Sequence, residues 1–450
     1  MQSKNSPGAG PRTTPADSRR ILALAVPALG ALVAEPLFIL ADTAIVGRLG
    51  ADALAALSVA STALMTVVGL CVFLAYATTS LVARRIGAGD PRAALRAGVD
   101  GLWLSFALGI ALAIALGFAA TDLLRALGAH GSVLALGTAY LRASAAGIPG
   151  MLAVLAATGV LRGFQDTRTP LYLTVVGASA NALLNVVLVF WVGLGIVGSG
   201  LGTAACQLGM GAVAAAIVMR RSRAHAVSLR PRPQGLLGAA RSGVPLFIRT
   251  LSLRAAIIVT VAVATRLGEA PLAGHQIVTA VWNLIAYALD ALAIAAQALI
   301  GHALGAGRIR EARRLLRIML RWGVVTGAVC GVAIAATSAF IPWIFTDEAA
   351  VAAATSPALI AAAVFLPMAG WVFVLDGVLI GAGDGRYLAW VGLLTLAAYV
   401  PAVLAVGALT AAHAHALVWL WVAFGGWFMA TRALTTGLRA RTDAWLRAGI

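Results

Sequence analysis

Hydrophobic and polar positions divide the chain into long apolar segments separated by short polar stretches. A transmembrane helix needs ~20 mostly apolar residues, and twelve segments reach that length. They lie near residues 21–47, 55–83, 99–120, 133–161, 169–192, 198–219, 240–265, 272–302, 321–345, 354–381, 387–409 and 414–434. Several are longer than a bilayer requires, so we expect tilted helices or helix ends that protrude into water. The pattern predicts an all-α integral membrane protein with twelve transmembrane helices.

Composition and charge agree with this prediction. The 450 residues are 61% hydrophobic, and the mean hydropathy is +0.95, whereas a water-soluble core could not bury so many apolar helices. The net charge of +17 would suggest a nucleic-acid partner in a soluble protein. Here 27 of the 33 basic residues fall on one side of the predicted spans and only four on the other. This asymmetry predicts a multi-pass protein of the cytoplasmic (inner) membrane with both termini cytoplasmic, and it explains the charge without nucleic acid.

The chain repeats its own motifs at a constant offset of 218 positions. The repeated motifs are VP at 26–27 and 244–245, RLG at 48–50 and 266–268, GAG at 87–89 and 305–307, and GVLRGFQD at 159–166 with GVLIGAGD at 377–384. Four matches in one register indicate a duplication. Six helices per half leave both copies in the same orientation, as in transporters built from parallel repeats. We therefore expect two six-helix lobes related by a pseudo-twofold axis.

These observations divide the chain into five parts. The first part is polar and rich in Ser, Pro and Gly, which is typical of a disordered tail. The parts are a disordered cytoplasmic tail (1–20), an N-terminal lobe (21–219), a basic cytoplasmic linker (220–239), a C-terminal lobe (240–434) and a cytoplasmic C-terminal tail (435–450).

The first apolar segment carries two carboxylates, Glu35 and Asp42, and two prolines, Pro27 and Pro36. The acids are seven residues apart, two turns of an α-helix, so they share one face. An ionised acid at mid-bilayer costs roughly 2.5 kcal/mol or more and normally faces a cavity or a pathway. Each proline removes a backbone donor and makes the helix bendable. We expect the acids to take part in proton or cation coupling and the prolines to act as hinges.

Other polar residues of the N-terminal lobe extend this candidate site. Asn181 and Asn185 are four residues apart in the fifth span and lie on one face. Thr203 in the sixth span could complete a polar cluster with them. Phe38, one turn before Asp42, and Met151 are candidates for lining a substrate cavity.

Away from the span ends, the apolar spans of the C-terminal lobe carry four charged residues: Arg249, Arg254, Asp290 and Asp376. Two acids and two bases suggest ion pairs that cancel each other's desolvation cost. Intramembrane charge alone does not separate a structural network from a transport path, so both interpretations stay open. The three cysteines are far apart and show no metal-ligand spacing. We expect no metal and no cofactor other than a coupling ion, H⁺ or possibly Na⁺.

Four motifs together resemble the multidrug and toxic compound extrusion (MATE) family, and most closely its DinF-like subgroup. They are ADTAIVGRLG, RRIGAGD, RGFQDTRTP and LDALAIAAQALIGHALGAG. The resemblance covers essentially the whole chain after residue 20. It implies a V of two six-helix lobes that opens alternately inward and outward, a monomer, and efflux of amphipathic, often cationic compounds driven by proton or sodium entry. It also implies that Asp42 corresponds to the family's essential first-helix aspartate.

The sequence departs from two branches of that family. Archaeal relatives have an aspartate at the position of Asn185 and a glutamine at the position of Glu35. Sodium-coupled members pair a seventh-helix glutamate with a tenth-helix aspartate. Asp376 resembles that aspartate, but the seventh span has no glutamate before Glu269. The resemblance therefore supports a sodium site in this lobe only weakly.

The leading hypothesis is a proton-coupled antiporter in which protonation of Asp42 drives a rearrangement of the first helix. Alternatives are a sodium-coupled drug exporter and a flippase for lipid-linked precursors from the same superfamily. A flippase should have extra helices and a strongly basic central cavity, for which the spans offer only Arg249 and Arg254. An intramembrane enzyme is the least favoured class, because the spans contain no HExxH, GxSxG or paired-histidine motif.

Overall fold

A computed structural model describes residues 15–410, 413 and 415–446. Over these residues the chain forms fifteen α-helices. They are α1 (Pro15–Gly47), α2 (Ala51–Leu70), α3 (Phe73–Gly87), α4 (Pro91–Ala126), α5 (Gly131–Ala145), α6 (Ile148–Gly163), α7 (Arg168–Val186), α8 (Gly195–Ala224), α9 (Pro233–Arg266), α10 (Glu269–Gly305), α11 (Ile309–Thr337), α12 (Ala349–Gly381), α13 (Gly385–Thr410), α14 (Ala416–Trp421) and α15 (Met429–Arg441). A π-helical turn continues α7 over Val187–Trp191, a second one joins α14 to α15 over Val422–Phe428, and a 3₁₀ turn lies at Ile341–Ile344.

These helices form the predicted number of membrane spans. Eleven helical segments within the described part of the chain are long and apolar enough to cross a bilayer. The pair α5 and α6, bent by 48° between Ala145 and Ile148, supplies the twelfth if it is counted as one span. The all-α, twelve-span fold class is therefore confirmed.

Three predicted boundaries differ from the helix ends. Helix α1 begins at Pro15, so residues 15–20 are helical rather than part of a disordered tail. The buried Asp17 stabilises this first turn through an ion pair of 3.0 Å with Arg314 of α11. The linker predicted over 220–239 is non-helical only between α8 and α9, and α15 continues beyond residue 434. Residues 1–14 and 447–450 of the predicted tails lie outside the described residues.

The backbone confirms the tandem repeat. Residues with positive φ, a conformation that favours glycine, recur 218 positions apart. The pairs are Gly50 and Gly268 (113° and 109°), Gly89 and Gly307 (78° and 69°), and Gln165 and Gly383 (62° and 77°). The turn after α6 therefore keeps the backbone shape of its counterpart after α12, even though its left-handed residue is a glutamine.

The two lobes, α1–α8 and α9–α15, contact each other through a symmetric pair of close approaches. Gly87 at the end of α3 lies against the backbone of His302 in α10, and Gly305 at the end of α10 lies against the backbone of Arg84 in α3. Both residue pairs are related by the offset of 218, so the contact has the self-complementary form of a twofold interface. A Cβ atom at either glycine would collide with the facing backbone. The pseudo-twofold axis therefore passes between α3 and α10.

This contact lies at the end of the helix bundle that carries most of the arginines, hereafter the arginine-rich end. Two hydrogen bonds between the lobes support it. The Ser80 hydroxyl donates to the carbonyl oxygen of Gly381 over 3.3 Å, and the Gln297 amide donates to that of Tyr76 over 2.9 Å. The largest hydrophobic core includes residues of α1, α10, α11 and α12 and continues into α2 and α5.

Candidate ion-coupling site

The Asp42 carboxylate lies in the interior of the N-terminal lobe, where its side chain is 5% exposed. Oδ1 accepts hydrogen bonds from the Ser199 hydroxyl at 2.5 Å and from the Asn185 amide at 2.9 Å. Oδ2 accepts one from the Tyr140 hydroxyl at 3.2 Å. None of the arginines in the described ranges forms an ion pair with it. Four helices, α1, α5, α7 and α8, thus surround one carboxylate with uncharged donors.

The predicted amide cluster continues from this carboxylate. The Asn185 amide also donates to Oδ1 of Asn181 at 3.1 Å, and the Asn181 amide donates to the Thr203 hydroxyl at 3.3 Å. All three side chains are buried. Gly202 leaves space for Asn185, since a Cβ at that position would meet Oδ1 of the amide. The structure thus brings Asp42, Asn181, Asn185 and Thr203 together.

Sequence reasoning missed two of the three donors to Asp42. Ser199 precedes Thr203 by four residues in α8, so helical spacing could have placed it on the same face. Tyr140 gives no comparable signal, because α5 approaches Asp42 only through the packing of the lobe.

Glu35 does not join this cluster, although it shares a helix face with Asp42. Its side chain is exposed, and it forms no hydrogen bond with any other described residue. Its electrostatic partners are Arg254 and Tyr287 of the C-terminal lobe. Glu35 therefore faces the opposite lobe.

The other candidates on and near α1 take different positions. Met151 is 5% exposed and packs in the hydrophobic core, whereas Phe38 is half-buried. Helix α1 continues through both Pro27 and Pro36 without a break in its α-helical assignment.

In the C-terminal lobe, Asp376 is held between two arginines. Its Oδ2 accepts hydrogen bonds from Arg249 at 2.6 Å and from Arg432 of α15. Arg432 lies at the end of the twelfth predicted span and was not among the charged residues predicted to interact in this lobe. Arg254 does not join this triad but lies near Gly69 of α2 and Glu35. The physical reason is helical geometry, since five residues after Arg249 the side chain has turned by about 140°.

Asp290 completes a wider set of charges around this triad. It makes no hydrogen bond or ion pair with another residue of the described ranges, but it interacts electrostatically with Arg249, Asp376 and Arg162. Arg162 belongs to α6 of the N-terminal lobe and is 9% exposed. The charged network predicted within one lobe therefore reaches across the interface between the lobes.

Comparison with known proteins identifies the family. A model of the family described as MatE matches residues 27–187 and 245–406. The matched ranges cover well over half of the chain, and their starting points are 218 residues apart, in register with the repeat.

The chain belongs to the MatE family.

Relatives and solved structures agree with this assignment. The chain is 33% identical over 388 residues to Protein DETOXIFICATION 44, chloroplastic, of Arabidopsis thaliana, covering 82% of this chain and 73% of the relative. It is 29% identical over 369 residues to DNA damage-inducible protein F of Escherichia coli strain K12, covering 80% and 79%. The solved structure titled "Outward-facing conformation of a multidrug resistance MATE family transporter of the MOP superfamily" superimposes with a TM-score of 0.84 at 23% identity, covering 94% and 95%. MatE proteins are transporters of small molecules in membranes, not enzymes, and the expected family is confirmed.

The two lobes of this MatE transporter differ at the equivalent position. Residues 218 positions after Asp42 and Asn181 are Thr260 and Tyr399, whose hydroxyl oxygens lie 2.6 Å apart. Trp421, the counterpart of Thr203, packs with Phe424 at a ring-centroid distance of 5.5 Å. The region that holds the polar cluster in the N-terminal lobe is therefore filled by aromatic rings in the C-terminal lobe.

Proposed function

We propose that this MatE transporter is a proton-coupled antiporter that exports amphipathic or cationic small molecules by alternating access, with Asp42 as the proton carrier. The observation that carries the proposal is a buried carboxylate held only by neutral donors. Removing a charge from such a site leaves no unpaired partner charge behind. Asp376 is the contrasting case, since its protonation would leave two buried guanidinium groups without their carboxylate.

Protonation of Asp42 requires its hydrogen bonds to rearrange. An ionised carboxylate only accepts hydrogen bonds, whereas a protonated one also donates. Oδ1 of Asn185 is buried and has no hydrogen-bond partner among the described residues. Rotation of the Asn185 amide would turn this oxygen toward the new proton. The hydrogen bond from Ser199 would then weaken, because it would no longer be made to a charged acceptor. Helix α1 would be free to shift relative to α8, with Pro27 and Pro36 absorbing the bend.

The substrate is proposed to enter the cleft between the lobes. Glu35 is the acid of α1 that faces this cleft, and Arg254 is the opposing charge. A cationic substrate would replace Arg254 as the partner of Glu35, and the half-buried Phe38 would offer it an apolar surface. This arrangement supports an amphipathic cation as the substrate class.

The charges of the C-terminal lobe argue against sodium as the coupling ion. A sodium site would need Asp376 free to bind the cation, but two arginines occupy that carboxylate. Within the described ranges, no three His, Cys, Asp or Glu side chains come close enough to hold a metal ion. The proposal therefore takes H⁺ as the coupling ion.

The flippase alternative depends on a strongly basic cavity. Arg162 and Arg432 add two positive charges to those of Arg249 and Arg254 near the lobe interface. Three acids, Glu35, Asp290 and Asp376, offset these four charges, so the region is nearly neutral. We therefore favour small-molecule export, by a monomer in the cytoplasmic membrane with both termini cytoplasmic.

Reconstituted vesicles test this function. The protein is placed in liposomes with a cationic fluorescent dye, and a pH gradient and a sodium gradient are applied in separate experiments. We expect dye movement with the pH gradient, abolished by a protonophore, and none above empty liposomes with the sodium gradient. Transport driven by sodium alone, or by neither gradient, would contradict the proposal.

A further inference from the structure

A groove separate from the Asp42 site opens between the first turns of α1 and the start of α7. It consists of two adjoining cavities of about 350 and 620 Å³ that share Ala23 and Arg168. Arg19 and Arg20 line it on the α1 side. We refer to these two cavities as the α1–α7 groove.

The groove has a surplus of positive charge. Arg19 and Arg168 are exposed and form no hydrogen bond or ion pair with any other described residue. Arg20 has only a long contact of 3.5 Å with Glu311. Asp166 also lines the groove, but its charge is already compensated by Arg221 at 2.9 Å. Three guanidinium groups thus surround a space that contains no free counter-charge from the described residues.

The start of α7 adds an uncharged donor on the same side. Thr167 precedes the helix and lines the groove, and its side chain is 2% exposed. Its hydroxyl is buried and has no hydrogen-bond partner among the described residues. Leaving a buried hydroxyl unpaired costs free energy.

The groove becomes apolar further along α1. Leu22 and Val26 follow the arginines along α1 and are 43% and 60% exposed. The groove therefore changes from charged to apolar within two helical turns, at the point where the first membrane span begins. A ligand that fits both parts has an anionic head and a hydrocarbon tail.

We propose that the α1–α7 groove binds an anionic glycerophospholipid, with its phosphodiester on Arg19, Arg20 and Arg168 and an acyl chain along Leu22 and Val26. The planar guanidinium fork matches the geometry of phosphate oxygens. Basic pockets between transmembrane helices are a known form of lipid headgroup site. The phosphate would also accept the hydrogen bond that the Thr167 hydroxyl lacks.

The tandem repeat supplies a matched control. The residue 218 positions after Arg168 is Arg386, which is also exposed and makes no hydrogen bond or ion pair with another described residue. The residues at the same offset from Arg19 and Arg20 are Leu237 and Gly238. The C-terminal lobe thus keeps one of the three arginines. The double variant R310Q/R386Q, with exposed Arg310 from α11, removes the same charge outside the groove.

Native mass spectrometry of the detergent-solubilised protein tests the proposal. Phosphatidylglycerol and phosphatidylcholine are titrated separately, and the lipid-bound fraction is measured. We expect wild type to retain phosphatidylglycerol preferentially and R19Q/R168Q to bind it about thirtyfold more weakly, given the usual contribution of an arginine near a lipid surface. R310Q/R386Q should bind like wild type.

Three further outcomes would overturn the proposal. The first is equal retention of the two lipids, and the second is an equal loss in both double variants, which would indicate diffuse charge rather than a site. The third is competition by glycerol 3-phosphate that is as effective as competition by the lipid, which would indicate a phosphate ligand without a tail.

The variant T167V tests the role of the hydroxyl, because it keeps all charges and the shape of the side chain. It should weaken phosphatidylglycerol binding several-fold. Unchanged binding in T167V would overturn the placement of the phosphate at the start of α7.

Discussion

Two buried aspartates of this transporter differ in what holds them. Asp42 accepts hydrogen bonds from a serine, an asparagine and a tyrosine, whereas Asp376 lies between two arginines. Protonating a carboxylate that has neutral partners changes only hydrogen bonds, but protonating one in a buried ion triad leaves uncompensated charge. The partners, rather than depth in the membrane, therefore distinguish the carboxylate suited to exchange from the one suited to structure.

The variant D42N tests this distinction at the residue scale. Asparagine keeps the size of the side chain and one acceptor oxygen but cannot ionise, so we expect expression and apparent melting temperature close to wild type. Dye transport driven by a pH gradient should fall to the level of empty liposomes. The control D122N changes an aspartate that is 83% exposed and should transport normally. Proton-driven transport by D42N at the wild-type rate would remove Asp42 from the mechanism.

At the scale of elements, an aspartate connects three helices at each repeated turn. Asp166 follows α6, accepts hydrogen bonds from the backbone N–H and hydroxyl of Thr169 in α7, and pairs with Arg221 of α8 at 2.9 Å. Its counterpart Asp384 pairs with Arg439 at 2.7 Å, and both acids and both arginines are 218 positions apart. The ion pair thus fixes the same corner in both lobes.

The stability that Asp166 contributes should depend on pH. Burial raises the pKa of Asp166, but the hydrogen bonds from Thr169 and the charge of Arg221 outweigh burial and hold the pKa below its usual range. A lowered pKa in the folded state means that stability is fully present above the unfolded value, ~3.9, and is lost as pH falls through the folded value.

We therefore expect D166N to unfold more easily than wild type at pH 7, by about 1 kcal/mol, because asparagine can still cap α7 but cannot form an ion pair with Arg221. Thermal unfolding across pH measures the effect, and the difference between variant and wild type should shrink as pH falls below about 4. D122N, in an exposed pair with Arg125, should show no measurable change at pH 7. A difference for D166N that is independent of pH would show that its charge is not involved.

For the whole molecule, the symmetric contact of α3 and α10 holds the lobes together at the arginine-rich end. Transport by alternating access would require this contact to open. Gly305 permits the closed arrangement only because it lacks a side chain, since a Cβ would meet the backbone of Arg84.

The variant G305V should disfavour closure at this end. Overpacking costs roughly 1–3 kcal/mol, which lowers the closed population by a factor of about 5–150. In a background without native cysteines, S80C should then react several-fold faster with a maleimide, because Ser80 is 7% exposed at this interface. G117V, where a Cβ meets no atom within 4 Å, is the matched control. Equal labelling rates in both variants would show that Gly305 does not control closure.

The sequence alone predicted the features that depend on local order along the chain. Lengths of apolar runs determine how many helices can span a bilayer, and the constant offset of the motifs revealed the duplication. Helical spacing also placed Asn181 and Asn185 on one face, because neighbours three or four residues apart must meet. Gln165 and Gly383 occupy equivalent turns, and this too follows from the repeat.

Only the tertiary structure decided which side chains meet across helices. It brought Tyr140 and Ser199 to Asp42 and added Arg432 to Asp376. It also placed Glu35 and Arg254 as electrostatic partners of each other, rather than in the Asp42 cluster and the Asp376 triad. These pairings depend on the rotation and depth of each packed helix, which the hydrophobic pattern leaves open to within a turn. A shift of one residue in a helix rotates a side chain by about 100°, and it is packing of the whole lobe that selects among those rotations.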